Sequence, residues 1–392
     1  MASDTANDRI VFANQLRGLA AFSVLFSHYT GAFWGRPDEV GKTLGLPAQV
    51  YADPPQGLIW FGDLPFFNAG PFGVALFFLI SGFVIPISLE RLGPLPFLVA
   101  RFLRIWPTYV AGFGLAVALL ACWHALNGTA FPYSAGLVLA QSAIVLRDWL
   151  WLPVVDGIVW TLEVEMKFYF AMALLFWLAG GFRLPHFAAI AIAGSLVSIG
   201  FGLGYDWLLA EHVWWFKRLA IVSITASFFP YMFIGTGFYL LYRGRITGRE
   251  LVLFSALMLA ASAASWRIGF LGIGPVVASM ASCGFALALF AACYALRSRF
   301  RPNRVFDFLA DISYPLYVTH YLIGLLAMYL LVEAGFSPWP VMLLAFLLAF
   351  LIAWALHRMV EKPTQRAGRR LGVWLAERRR PIVIPAQPAA GP

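Results

Sequence analysis

The sequence has 392 residues, of which 61% are hydrophobic and 12% are charged, and its mean hydropathy is +0.78. Soluble domains carry about 25% charged residues, so the composition excludes a soluble protein and predicts an all-α, polytopic helical bundle in a membrane. The net charge of +9 raises nucleic-acid binding as an alternative. The basic residues, however, cluster at the ends of apolar segments, as is typical of cytoplasmic loops. We therefore expect the lipid bilayer as a partner and no nucleic acid.

All three cysteines, Cys122, Cys283 and Cys293, lie in or beside apolar segments. Their spacing matches neither a disulfide framework nor a set of metal ligands, so we expect no disulfide and no metal. The polar N-terminus leads into an apolar segment without a small-residue cleavage site, and we therefore expect no removable signal peptide.

Apolar segments long enough to cross a bilayer recur along the chain. About ten are predicted, at approximately residues 11–33, 70–89, 105–124, 158–180, 187–204, 218–242, 250–267, 274–296, 312–333 and 339–358. An apolar run at residues 135–146 is too short to cross, and we interpret it as a re-entrant or interfacial piece of an outer loop.

The basic residues favour this count of spans. If both termini are cytoplasmic, most of the 28 lysines and arginines fall in cytoplasmic segments, whereas an eleventh span would place the basic tail outside. We predict a membrane domain over residues 1–366 and a basic cytoplasmic tail over residues 367–392, with a disordered end.

The first span carries Arg17 near its start and His28 well inside. Eleven positions correspond to about three turns, so both side chains project from one helix face, about 16 Å apart along the axis. An ionisable group at membrane depth costs roughly 2.5 kcal/mol or more unless it faces a polar interior. The other helices are therefore expected to supply polar partners for this face.

Arg101 and Arg104 open the third span, and their i, i+3 spacing places both guanidinium groups on one face. One interpretation is anchoring at the cytoplasmic surface by contact with lipid phosphates. The other is a clamp for a phosphorylated ligand, because the planar guanidinium group suits phosphate oxygens. The sequence leaves both open.

The fourth span carries three charged residues. Glu163 and Lys167 are spaced i, i+4 in the favourable order, which allows them to neutralise one another. Glu165 has no such partner in its own helix and shares a face with Thr161 and Tyr169. We expect Glu165 to pair with a histidine or an arginine from a neighbouring helix.

The ninth span places Ser313, Tyr317 and His320 on one face by their i, i+4 and i, i+7 spacing. A lone histidine in an apolar helix is usually a packing residue. Two histidines in different spans, together with a glutamate and several arginines, favour a site instead. Histidine is the side chain best suited to proton transfer near neutral pH.

The two longest stretches between spans, residues 34–69 and about 125–157, are candidates for recognising an acceptor. The second contains Arg147, Asp148 and Asp156. The tryptophans in these stretches fit an interfacial aromatic belt equally well.

These residues resemble the signature set of the acyltransferase 3 family of membrane acyltransferases, over residues 10 to about 366. The matching segments are residues 16–20 with His28, residues 77–83, Arg101 with Arg104, residues 160–162 with Glu165, residues 313–320, and residues 361–363. Each is weak alone, but six in the family's order are specific. Thr161 stands where serine is commoner. We expect a stand-alone member without a fused C-terminal hydrolase-like domain.

The resemblance implies transfer of an acyl group, often acetyl, from cytoplasmic acyl-CoA to a hydroxyl group of a carbohydrate or lipid-linked glycan. The acceptor would belong to the cell envelope or be exported, and a glycosylated secondary metabolite is an alternative. The resemblance also implies a bacterial inner membrane.

Under this hypothesis, His28 is the general base or briefly carries the acyl group, Glu165 orients its imidazole, and His320 stabilises the developing oxyanion or holds the acceptor. The predicted catalytic residues are His28, Glu165 and His320. The residues predicted to hold the phosphates of CoA are Arg17, Arg101 and Arg104. Those predicted to bind the acceptor are Ser313, Tyr317 and Tyr169.

A transporter or flippase is the rival class, because polar groups along a helical bundle also mark substrate pathways. Such proteins are often built from repeats with interrupted helices, and no repeat is evident in this sequence. We therefore favour the enzyme.

Overall fold

The structure, a computed structural model, describes residues 10–49, 54–62, 64–269 and 276–378. Within these ranges the chain forms helices and no β-strand, which confirms the predicted all-α bundle. Helices cover all ten predicted spans. They are α1 (Val11–Phe26), α2 (Ala69–Leu92), α3 (Pro94–Leu126), α4 (Val159–Ala179), α5 (Leu184–Leu203), α6 (Val213–Tyr242), α7 (Gly248–Ala264), α8 (Val276–Ala295), α9 (Arg304–Glu333) and α10 (Pro338–Leu356).

Seven of the described helices are long and apolar enough to cross a membrane by length and composition alone. The helix α4 is not among them; it carries Glu163, Glu165 and Lys167, which lower its hydropathy. The helix α1 is regular only to Phe26 and continues as a π-helical turn, Ser27–Ala32. The placement of both termini in the cytoplasm stays a prediction.

The predicted tail begins inside a helix. After α10, a π-helical turn (His357–Glu361) leads into α11 (Lys362–Arg378), which runs across the predicted domain boundary at residue 366. Gly368 and Gly372 of α11 pack against the start of α3. The predicted disordered end, and residues 274 and 275 of the eighth span, lie outside the described residues.

Side-chain caps set the starts of several helices. The Oδ1 atom of Asn68 accepts a hydrogen bond from the backbone of Gly70 at the start of α2, at 2.9 Å. Asn303 caps α9 in the same way, and Thr247 forms a capping box with Glu250 at the start of α7. These caps satisfy backbone N–H groups that have no partner within the helix.

The helix α1 lies between α2 and α9 and packs closely on both. A Cβ atom added to Gly18 would lie 2.8 Å from Cβ of Leu309 in α9, and one added to Gly73 of α2 would lie 2.6 Å from the carbonyl oxygen of Ala20. Glycine at these two positions lets the helix backbones approach one another. This packing sets the axial position of α1 relative to its two neighbours.

The short apolar run turns back into the bundle. It forms two short helices, Ala135–Ser142 and Val145–Trp149, separated by Ile144, whose φ is 57°. The indole nitrogen of Trp106 donates a hydrogen bond to the carbonyl oxygen of Ser142, at 3.1 Å. Trp106 lies about 30 Å along α3 from its Leu126 end, so residues 135–157, the re-entrant segment, reach deep beside α3.

Candidate active site

The structure brings the two predicted histidines together. His28 lies on the π-helical turn after α1, and its Nδ1 atom is 2.8 Å from Nε2 of His320 on α9. The rings are stacked, with their centroids 5.0 Å apart. His320 is buried, whereas His28 is half-buried. π-Helical turns often occur at functional sites, and this one places His28 against α9.

The hydrogen-bond partners of the neutral pair assign its tautomers. The Nδ1 atom of His320 lies 3.0 Å from the carbonyl oxygen of Leu316 and 2.8 Å from that of Tyr317. Because a carbonyl oxygen only accepts, Nδ1 of His320 carries the hydrogen and its Nε2 atom is the acceptor. His28 therefore donates from Nδ1, and its own Nε2 atom keeps the free lone pair that a base or nucleophile needs.

The three predicted arginines line one open cavity. Arg17 comes from α1, and Arg101 and Arg104 come from α3. Side chains from two helices therefore line the same cavity. The guanidinium group of Arg101 also donates to the hydroxyl of Ser88, at 3.0 Å, and lies 5.5 Å from the ring centroid of Tyr169. The cavity therefore has a strongly cationic wall.

Glu165 lies in this cavity and not beside His28. Its Oε1 atom accepts hydrogen bonds from the hydroxyl groups of Ser81 and Tyr169, each at 2.6 Å. The expectation that Glu165 orients the imidazole of His28 is therefore corrected, because His320 occupies that position. The spacing within α4 predicts which face carries Glu165, but the axial fit between helices decides which residues it meets.

The residues predicted to bind an acceptor line the same cavity as the arginines. The hydroxyl of Ser313 donates to the carbonyl oxygen of Ala310, and that of Tyr317 lies 2.6 Å from Oγ1 of Thr161. Tyr169 is on the arginine side, where it bonds Glu165. The geometry thus groups Ser313, Tyr317 and Tyr169 with the predicted donor site.

Two cavity residues, Ser81 and Tyr314, were assigned no role from the sequence. Ser81 bonds Glu165, and the hydroxyl of Tyr314 donates to the carbonyl oxygen of Ile105, at 2.8 Å. Both lie inside the motif segments, at residues 77–83 and 313–320. Both could be identified from the sequence as hydroxyl-bearing residues within an apolar helix.

The ion pairs of α4 differ from the predicted one. Glu163 pairs with Arg147 and Lys167 pairs with Asp148, so these two residues of α4 bind the re-entrant segment rather than each other. The guanidinium group of Arg147 donates to both carboxylate oxygens of Glu163. These two pairs hold the re-entrant segment against α4.

Asp156, at the end of the re-entrant segment, accepts a hydrogen bond from the hydroxyl of Tyr109, at 2.9 Å, and others from the backbone N–H groups of Ile158 and Val159. Arg147, Asp148 and Asp156 therefore all have partners within the protein. Among the described residues, no group of three or more histidine, cysteine or acidic side chains is placed to hold a metal ion.

The bundle and its buried site define a multi-pass membrane protein with a histidine pair near an arginine-lined cavity. A family model described as an acyltransferase domain matches residues 10–358, which is most of the chain. The chain therefore belongs to the acyltransferase 3 family, as its motifs predicted.

Two curated proteins are similar to the chain. The exopolysaccharide production protein ExoZ of Rhizobium meliloti (strain 1021) is 28% identical over 312 residues, which cover 77% of this chain and 92% of that protein. Nodulation protein 10 of Rhizobium leguminosarum bv. viciae is 29% identical over 237 residues, which cover 57% of this chain and 54% of that protein. No solved structure matches the chain.

Proposed function

We propose that the protein transfers an acyl group, acetyl in the first instance, from cytoplasmic acyl-CoA to a hydroxyl group of a cell-envelope or exported carbohydrate at a bacterial inner membrane. The observation that carries this proposal is the free Nε2 atom of His28, held in place by His320. Membership of the acyltransferase 3 family supports the reaction class.

The carbohydrate acceptor is supported by the similarity to ExoZ, whose name places it in exopolysaccharide production. A lipid-linked glycan presents the same kind of hydroxyl group at a membrane. Half-burial of His28 is compatible with an acceptor that approaches this residue.

The acyl-CoA donor is supported by the charge of the cavity. CoA carries phosphate groups, and Arg17, Arg101 and Arg104 supply three guanidinium groups against the single carboxylate of Glu165. Arginine binds phosphate oxygens through paired, charge-assisted hydrogen bonds. With its phosphates at this wall, the pantetheine arm extends toward the histidine pair.

The chemical step needs one proton transfer, because a thioester is already activated. The Nε2 atom of His28 takes the proton of the acceptor hydroxyl as its oxygen attacks the thioester carbonyl carbon. The carbon–sulfur bond breaks, and the CoA thiolate leaves with the proton from His28, so an ester and free CoA are formed. In a two-step variant, Nε2 attacks the carbonyl carbon first and expels the CoA thiolate. The acceptor hydroxyl then takes the acyl group from the imidazole, and its proton leaves with the CoA thiolate.

The proposal is tested with acetyl-CoA labelled in the acetyl group and membranes that contain either the wild-type protein or the variant His28→Ala. Label is followed into protein, free acetate, and glycan and lipid-linked fractions. We expect transfer with the wild type and none with His28→Ala, while His212→Ala, which changes an exposed histidine, behaves as wild type. Wild-type rates in His28→Ala would remove His28 from the mechanism. Accumulation of a solute in vesicles without acyl-CoA would favour a transporter.

A further inference from the structure

The arginine-lined cavity ends before it reaches His28. Its wall at that end includes Val74, Phe77, Thr161 and Tyr317, and among the described residues neither His28 nor His320 lines it. The ring centroid of Tyr317 is 5.7 Å from that of Phe77 and 5.8 Å from that of His320. Tyr317 therefore stands between the cavity and the histidine pair.

A hydrogen bond joins the two sides of this wall. The hydroxyl of Tyr317, on α9, lies 2.6 Å from Oγ1 of Thr161, on α4, and both residues are buried. Both hydroxyl groups also reach the carbonyl oxygen of Ile158, that of Thr161 at 3.0 Å and that of Tyr317 at 3.5 Å, so either hydroxyl can be the donor in the bridge. The contact bridges two helices that are distant in sequence.

We propose that the hydrogen bond between Tyr317 and Thr161 is a gate that closes the path from the arginine-lined cavity to His28 and opens when the thioester end of the donor arrives. This inference rests on the proposed function. A donor whose phosphates lie on Arg17, Arg101 and Arg104 reaches Nε2 of His28 only by passing this wall.

The chemistry of the bridge suits a gate. A hydrogen bond between two neutral hydroxyl groups is readily exchanged for another of the same kind. The hydroxyl of Tyr317 can instead donate its proton to the carbonyl oxygen of a thioester, so the arriving donor replaces the hydrogen bond that it breaks. While the gate is closed, a donor in the cavity is kept from the base, and its hydrolysis by water activated at His28 is suppressed.

The first arm of the test measures hydrolysis of acetyl-CoA without an acceptor in Tyr317→Phe and Thr161→Val. Each change removes the bridge and keeps the size of the side chain. We expect a several-fold rise in hydrolysis in both variants, with a lower share of acetyl groups transferred when an acceptor is present. The matched control is Tyr231→Phe, which removes the hydroxyl of a buried tyrosine that donates to the carbonyl oxygen of Cys283 and does not line the arginine-lined cavity.

Two results of this arm would overturn the gate. Unchanged hydrolysis in both variants would show that the bridge does not restrict access to His28. A loss of transfer in Tyr317→Phe alone, with Thr161→Val unaffected, would show that Tyr317 acts directly on the substrate.

The second arm is independent of acyl transfer. His28→Cys is made in a chain carrying Cys122→Ser, Cys283→Ser and Cys293→Ser, and sealed vesicles receive an anionic methanethiosulfonate reagent on the side where the arginine-lined cavity opens. We expect modification only when Tyr317→Phe is added. Modification in both chains, or in neither, would refute the gate. A further outcome is that the cysteine is modified only when Tyr317→Phe is present while the wild-type protein turns over no acyl-CoA. In that case the proposed function is refuted, and the control of access to position 28 by Tyr317 is retained.

Discussion

The Nδ1 atom of His28 lies 2.8 Å from Nε2 of His320, and the other ring nitrogen of His320 faces two backbone carbonyl oxygens of its own helix. This chain of contacts runs from the backbone of α9 to the base. It fixes both the tautomer and the orientation of His28, which is the task a carboxylate performs in a catalytic triad. In the proposed mechanism, His320 is therefore a positioning residue.

Removing His320 is expected to lower kcat by about 10²-fold, within the contribution of a positioned general base, with little change in KM for acyl-CoA. His320→Gln should retain more activity than His320→Ala, because its side-chain carbonyl still accepts the N–H of His28. Steady-state kinetics across pH checks this prediction. A rise in KM without a fall in kcat would indicate that His320 binds substrate instead.

Replacing Arg101 or Arg104 by alanine is expected to weaken binding of acyl-CoA about 10- to 100-fold, since a hydrogen bond to a charged group contributes about 1.5–3 kcal/mol. Calorimetric titration with CoA in detergent measures the change, and Arg249→Ala, at an exposed position away from the cavity, is the control. If the variants bind CoA normally but unfold at a lower temperature, the two arginines serve as anchors.

Breaking the buried pair between Arg147 and Glu163 is expected to lower the free energy of unfolding by about 3–5 kcal/mol for either single alanine variant, because one buried charge is left uncompensated. The double variant Arg147→Met with Glu163→Leu should show a smaller decrease in the free energy of unfolding. Unfolding in detergent by increasing denaturant compares the three. Equal losses in the single variants and in the double variant would mean that this pairing is not the source of the stability.

Gly18→Ala is expected to push α1 away from α9, since its Cβ atom would lie 2.8 Å from Cβ of Leu309. Overpacking of this kind costs about 1–3 kcal/mol, and the shift separates His28 from His320, so transfer should fall more than the amount of folded protein. Gly114→Ala is the control, because a Cβ atom there would have open space. Unimpaired activity in Gly18→Ala would show that the histidine pair tolerates the displacement.

The sequence predicts what each helix does alone and fails where helices meet. The eleven-residue spacing of Arg17 and His28 predicts a common face only for a regular α-helix, whereas the structure places His28 on the π-helical turn that follows Phe26. Glu163 pairs with Arg147 rather than with Lys167, and Glu165 accepts hydrogen bonds from Ser81 and Tyr169. These partners depend on how far α4 lies along its neighbours. The relative axial positions of the helices are set by contacts between them, such as the close approach of Gly18 to Leu309. The periodicity within one helix does not predict such contacts.

The pairing of two imidazoles, in place of an imidazole and a carboxylate, has an electrostatic consequence. In the neutral tautomers assigned by their partners, His28 and His320 together carry no net charge, so the resting pair pays no Born penalty for lying inside a low-dielectric bundle. In the proposed mechanism, charge arises at His28 only while it holds the acceptor's proton. Under that mechanism, the membrane interior contains a base that is ionic during a turnover and neutral between turnovers.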